Sequence, residues 1–233
     1  MKPQDVQTHF RSQAGDYPEL MRRIIPAYEA QQQFMLSLLP ADWNRPLHVL
    51  DLGCGPGEMA SLILSRYPSA QLALLDLTDE MIECCQVRFG NDPRVTYRRG
   101  DFRVDSIGSG YDLIIASLSL HHAPVSERAL LASRLFESLT PRGQIVTAEV
   151  VVDRSTEVRA HQYELWRRFM QSNGEDGVRW YEKHVAKDHP VEIDEWIGML
   201  QQAGFQQAGC YWRRLNFAVF AACRASVDRS GGD

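Results

Sequence analysis

The stretch VLDLGCGPGEMA, residues 49–60, sets Gly53, Gly55 and Gly57 directly behind an apolar run. Where a strand turns into a helix, a Cβ keeps a ligand off the backbone. Glycine removes that atom and permits positive φ. In open parallel sheets ligands lie at the carboxyl ends of the strands, near the switch in strand order, and these three glycines are expected there. The dinucleotide pattern G-x-G-x-x-G seats a pyrophosphate on a helix N-terminus. This loop departs from it: Asp51 precedes the first glycine and Glu58 follows the last. Two carboxylates repel a pyrophosphate and suit a ligand with a cationic group, such as the ammonium of an amino acid.

Outward from the loop, apolar runs alternate with helical patterns. Strands are predicted at 47–51, 71–76, 94–98, 112–117 and 143–151. Several are nearly continuous in apolar residues, as parallel strands buried on both faces are. Helices are predicted at 57–67, 79–89 and 126–139, the last with Leu130, Leu131, Leu135, Phe136 and Leu139 on one face. Strand alternating with helix means a doubly wound parallel sheet. The end of the chain differs. A helix bearing Ile193, Trp196, Ile197 and Leu200 stops at Gly204. Two β-rich runs then follow, QQAGCYWRR and FAVFAACR, joined by Leu215 and Asn216 alone. So short a link carries no crossover, so this pair is antiparallel.

The 233 residues suffice for one sizeable core. We expect a single domain. It comprises a helical cap (1–40) broken at Pro26, a cofactor-binding core (41–152), a helical insertion (153–190), a closing helix and hairpin (191–224) and a disordered tail (225–233). Lys and Arg total 25 against 30 Asp and Glu, a net charge of −5. The basic pairs are scattered, so no nucleic-acid partner is expected. Five cysteines without a C-x-x-C pair argue against a disulfide framework and a zinc site. No apolar run has membrane-span length and the first residues lack a signal-peptide pattern, so a cytoplasmic protein without membrane contact is expected. No heptad or apolar stripe stands out, which leaves a homodimer open.

Acidic residues close the strands that follow the loop. Asp76 ends the second apolar run, where a carboxylate accepts from ribose hydroxyls. Asp101, in GDF at 100–102, is placed to accept from an adenine amino group. Met81 offers a polarisable thioether to the adenine face. After the fourth strand, SLSLHHAP (117–124) carries adjacent His121 and His122, of which at most one is expected to face a cavity. A neutral imidazole is a suitable general base near pH 7. As metal ligands, adjacent histidines without a nearby carboxylate are poor, and no metal is expected.

This arrangement resembles the class I S-adenosylmethionine-dependent methyltransferases, with VLDLGCGPG similar to their first motif and residues 47–151 covered. The resemblance implies an α/β fold. A seven-stranded Rossmann-like, mostly parallel sheet has an antiparallel last strand, a helical N-terminal extension and a helical insertion before the last helix. It implies S-adenosyl-L-methionine as cofactor. Asp51, Gly53, Gly55 and Gly57 would line its methionine half, Asp76 would take the ribose, and Met81, Asp101 and Phe102 would take the adenine. Ser117 belongs to the same set. Tyr17 and an arginine, Arg22 or Arg23, would close over the cofactor, the arginine pairing with its carboxylate. The expected reaction is in-line methyl transfer to a small-molecule acceptor, with His121 or His122 as base. Tyr163, Trp166, Trp180 and Tyr181 are candidate walls of the acceptor pocket, and Glu149 either faces the acceptor or ends the sheet.

The outer segments FRSQAGDYPELMRRIIPAYEA and AGFQQAGCYWRRLNFAVFAA resemble the branch that includes carboxy-S-adenosylmethionine synthase. That reaction needs a cationic anchor for an extra carboxylate. Lys183, His184 and Lys187 are available, without an arginine. A synthase of that type, acting in tRNA modification, and a non-catalytic cofactor-binding protein are the alternative readings.

Overall fold

The structure is a computed structural model and describes residues 17–40 and 45–226. The start of the expected cap (1–16), residues 41–44 and residues 227–233 of the expected tail lie outside the described residues.

Five strands run parallel: β1 (His48–Leu52), β2 (Gln71–Asp76), β3 (Val95–Arg99), β4 (Tyr111–Ser117) and β5 (Leu139–Val152). A short strand β6 (Val191–Glu192) pairs with the end of β5, an addition with no sequence signal. The chain closes with the hairpin β7 (Gln206–Arg214) and β8 (Phe217–Cys223). The main path is β3-β2-β1-β4-β5-β8-β7, with β8 antiparallel to both neighbours. The seven predicted strands are all present.

The helices are α1 (Tyr17–Ile24), α2 (Tyr28–Ser37), α3 (Glu58–Arg66), α4 (Asp79–Phe89), α5 (Val125–Ser138), α6 (Thr156–Ser172), α7 (Gly177–Lys187) and α8 (Ile193–Gln202). The break between α1 and α2 falls at Pro26, as expected from its missing N–H. Among the described residues, no helix is long and apolar enough to cross a membrane.

Successive side chains of the central strands serve opposite faces. Val49, Leu113 and Ile115 pack with Met35, Met59 and Ile63 of α2 and α3. Leu50, Ile114 and Ala116 pack with Leu131, Leu135, Trp196 and Leu200 of α5 and α8. A third cluster lies beyond the sheet's carboxyl end. There α1 (Leu20, Ile24) meets α6 (Tyr163, Trp166, Met170) and Phe217. One sequence expectation fails on α5: Leu130 is 65% exposed. The buried stripe is Arg128, Leu131, Ala132, Leu135 and Ser138, so the helix is turned to bury an arginine on the face assigned to Leu130.

Candidate active site

β1 lies between β2 and β4, where the strand order turns back, and the glycine loop leaves its end. Gly53 and Cys54 both donate to the Leu75 carbonyl, at 2.7 and 3.1 Å, which ties the loop to β2. Gly53, Gly55 and Gly57 have φ of 70°, 53° and 83°. Their missing side chains serve different ends. A Cβ on Gly53 would stand 2.4 Å from the Ser119 Cβ, and one on Gly57 would stand 2.7 Å from the Phe89 ring. One on Gly55 meets nothing within 4 Å. Gly55 therefore leaves room for a ligand, while Gly53 lets β4's exit approach. Gly57 corrects the sequence reading: it does not border the cavity, and its bare backbone serves the packing of α3 against α4.

The loop floors a cavity of about 420 Å³ at the carboxyl end of the sheet, with α1, α2 and the end of α7 over it. Asp51 is 1% exposed in this wall. Burial, and then the neighbouring Asp76 charge, push its carboxyl up to about 7 against one opposing hydrogen bond from the Ala60 backbone. Its Oδ2 has no hydrogen-bond partner. Asp76 takes the Gly55 N–H at 3.0 Å on one oxygen and the Thr78 N–H at 3.0 Å on the other. Burial raises its carboxyl as well, against those hydrogen bonds. Glu58 also borders the cavity, and the Arg88 guanidinium pairs with it.

Of the residues expected from the sequence, the cavity gathers Tyr17, Asp51, Gly53, Gly55, Asp76 and Met81. Asp101, Phe102, Ser117 and His122 join them. Burial would raise the Asp101 carboxyl, but Arg103 grips both its oxygens (2.6–3.1 Å) and holds it low. Arg23 is a second correction. It is not at the cavity and donates at 2.7 Å to Glu175 of the insertion; Arg22 likewise pairs with Glu19 and Glu29. Leu118 has no local sequence signal. It holds φ of 57°, a left-handed conformation disfavoured for a side chain of this kind, at the cavity edge.

Residues 49–143 match a family described as a methyltransferase domain. The chain is 29% identical to the carboxy-S-adenosyl-L-methionine synthase of Chromohalobacter salexigens, over 88% of this chain and 79% of that protein. It is 27% identical to the synthase of Marinobacter nauticus, over 92% and 89%. Residues 49–143 thus carry a methyltransferase domain, and these relatives support a class I S-adenosylmethionine-dependent methyltransferase. Its fold matches Haemonchus contortus phosphoethanolamine N-methyltransferase 2 with a TM-score of 0.68 and 15% identity, covering 93% of this chain. The methyltransferase described here spans 60% of that chain's length.

This family's methyl donor is S-adenosyl-L-methionine, and the residues present fit it. A buried carboxyl with one unpartnered oxygen is ready to accept a charged donor, and an amino-acid ammonium provides one. Asp76 ends β2 in the cavity wall with a carboxylate able to accept from hydroxyls, and Met81, 3% exposed, and Phe102 line the same cavity.

The methyltransferase has a second cavity, of about 150 Å³, sharing Tyr17, Leu118, His122 and Lys187 with the first. Of the two histidines only His122 borders the cofactor cavity, as expected, while both border this second one. The assumption that no carboxylate lies near them is corrected. The His122 Nδ1 is 3.3 Å from Asp188 Oδ1, and ligand atoms of His121, His122 and Asp188 lie within 4.8 Å of one another. His184 Nδ1 meets the other Asp188 oxygen at 2.8 Å, and its Nε2 meets the Tyr163 hydroxyl at 3.0 Å. Burial would raise the Asp188 carboxyl, but the imidazoles of His121, His122 and His184 outweigh it and hold it far below the carboxylate range. Burial, and then the neighbouring His122, lower His121. Glu149 borders neither cavity and lies inside β5, short of its end. It is fully buried, accepts the Leu120 N–H at 3.2 Å, and lies near His121 and Arg128.

Proposed function

We propose that this methyltransferase moves the methyl group of S-adenosyl-L-methionine to a small-molecule acceptor. The observation that carries the reading is the buried Asp51 carboxylate with its unpartnered Oδ2, beside a loop whose Gly55 presents no side chain. The bound cofactor supplies a methyl already activated on a sulfonium, so the protein's task is placement, which contributes up to ~7–11 kcal/mol in favourable cases. Asp51 holds the ammonium and Asp76 the ribose hydroxyls. Met81 and Phe102 flank the adenine, with Asp101 at its amino group. His122 borders the cavity with Nδ1 turned to Asp188, which leaves Nε2 as the ring nitrogen able to take an acceptor's proton. Such a base contributes ~10²–10⁴-fold.

Native mass spectrometry of the purified protein is expected to show retained S-adenosyl-L-methionine or its demethylated product, and calorimetry to show that compound binding and NAD silent. Capture of NAD in its place would overturn the reading. Transfer of radiolabelled methyl separates an enzyme from a non-catalytic binding protein. A second reading, synthesis of the carboxylated cofactor, is favoured by Lys187, a cation bordering both cavities. A carboxylated derivative in the same mass spectrum would select it.

A further inference from the structure

We propose that the second cavity is the acceptor site, and that it takes a one-ring phenol carrying a carboxylate. This rests on the methyl-transfer reading above. Size is the first argument. An apolar cavity of about 150 Å³ holds one benzene ring, and this one has that volume. Larger drug-like ligands occupy pockets of roughly 300–1,000 Å³.

The walls are the second argument. Ile24 of α1, Trp166 of α6 and Phe217 of β8 form an apolar slot. Trp166 is fixed: its indole N–H donates to the Ile24 carbonyl at 2.7 Å, and its ring meets Phe217 edge-on at 5.6 Å. Trp180 closes the slot from α7, with the Lys183 ammonium 4.3 Å from its ring centre. Aromatic rings pack edge-on or offset against such walls.

Charge is the third argument. Arg179, Lys183 and Lys187 repeat every four residues along α7, so they share one side of the helix. Lys183 and Lys187 both border the cavity. Partial burial, then Arg179 and Lys187, disfavour the charge on Lys183, with Glu175 opposing. A ligand carboxylate suits this row of cations, and a cationic ligand adds to its charge.

The reacting end follows from the shared residues. His122 and Leu118 border both cavities, so the acceptor's hydroxyl is brought against the cofactor at His122. The phenol O–H bond breaks and its proton goes to His122 Nε2. The oxygen forms the bond to the methyl carbon, and the electron pair of the broken carbon–sulfur bond stays on sulfur. Asp188 is a positioning residue. Held on its other oxygen by the His184–Tyr163 pair, it stands 3.3 Å from His122 Nδ1 and favours that orientation of the ring by charge.

The test uses the full chain loaded with the demethylated cofactor, S-adenosylhomocysteine. Calorimetry compares para-hydroxybenzoate, phenol and tyramine. Para-hydroxybenzoate is expected to bind at least about tenfold more tightly than phenol, the effect of one charge-assisted contact, with tyramine weakest. Lys183→Gln, outside the cofactor cavity, is expected to remove that advantage and leave S-adenosylhomocysteine affinity unchanged. Asp188→Asn is expected to lower kcat with KM for the acceptor retained and to shift the acid limb of the pH profile, which a purely structural role would not do. If the product analogue binds but para-hydroxybenzoate and phenol bind equally or not at all, or Lys183→Gln has no effect, the acceptor assignment is overturned alone. If the product analogue fails to bind, the methyl-transfer reading falls and this assignment with it.

Discussion

Asp51→Asn separates the stability of the fold from the function of the site. The wild-type carboxyl is raised from 3.8 to about 7, chiefly by burial. Between those values the native protein keeps a proton that the unfolded chain has released. Native protein therefore binds more protons, and stability falls as pH rises through the window. The loss is complete above about pH 7 and reaches up to about 4 kcal/mol, at about 1.4 kcal/mol per pKa unit. Asparagine has the same shape, keeps an oxygen for the Ala60 N–H and cannot ionise. Without ligand, the variant should melt above wild type at about pH 8 and converge with it near pH 4. For a chain of this size roughly 2–4 °C accompany each kcal/mol, so the offset has an upper limit of roughly 8–16 °C.

Binding should move the other way. An ammonium next to Asp51 restores a charge that the empty site partly suppresses. Loss of that charged contact costs about 1.5–3 kcal/mol, or roughly ten- to 150-fold in affinity for S-adenosyl-L-methionine. Wild-type binding near pH 6 should release a proton, visible as a buffer-dependent calorimetric enthalpy, and the variant should release none. The assay is a thermal melt across pH paired with calorimetry in two buffers. Unchanged affinity, or an offset in melting temperature that does not vary with pH, would refute the assignment of the ammonium to Asp51.

The glycine loop should divide under substitution. Gly55→Ala should cost only the left-handed strain of about 1–2 kcal/mol, whereas Gly53→Ala adds a clash with Ser119 worth about 1–3 kcal/mol more, as urea unfolding would show. Gly55→Val should nonetheless lose cofactor binding while the far-UV circular dichroism stays native, because only its side chain enters ligand space. Glu149→Gln should destabilise by about 3–5 kcal/mol, since it strands the fully buried Arg128 guanidinium, and urea midpoints would measure it.

The parts that were legible in the sequence are those written in local pattern. The loop, the strand-end carboxylates Asp76 and Asp101 and the closing hairpin each rest on a few consecutive residues. What was missed depends on contacts distant in sequence. Arginine's affinity for carboxylates points Arg23 at the cofactor, but its carboxylate partner is Glu175, 152 residues on. Asp188 carries no motif, and its meeting with His122 follows from how the insertion folds back. The three glycines look alike in sequence, and only their neighbours Ser119 and Phe89 show that two of them serve packing. Helical spacing puts Leu130 inside because spacing cannot foresee a buried arginine, and Arg128 is inside because Glu149 and the Ala123 and His189 carbonyls await it.

That buried arginine explains how two distant segments can bring His122 and Asp188 together. His122 ends the turn after β4, and Asp188 follows α7. The residue beside each is tied to the other segment: the His189 N–H donates to the His121 carbonyl at 2.7 Å. Arg128 spans the same gap, donating to the Ala123 carbonyl from one nitrogen and the His189 carbonyl from another, both at 3.3 Å, with its guanidinium 5.4 Å from the Trp196 ring. Glu149 supplies the opposing charge and holds the Leu120 N–H at the start of the turn. An apolar residue at position 128 would fill the volume but leave those carbonyls without donors. The cost of burying a charge there is thus offset by fixing the distance between His122 and Asp188, which packing of apolar surfaces alone would not define so closely.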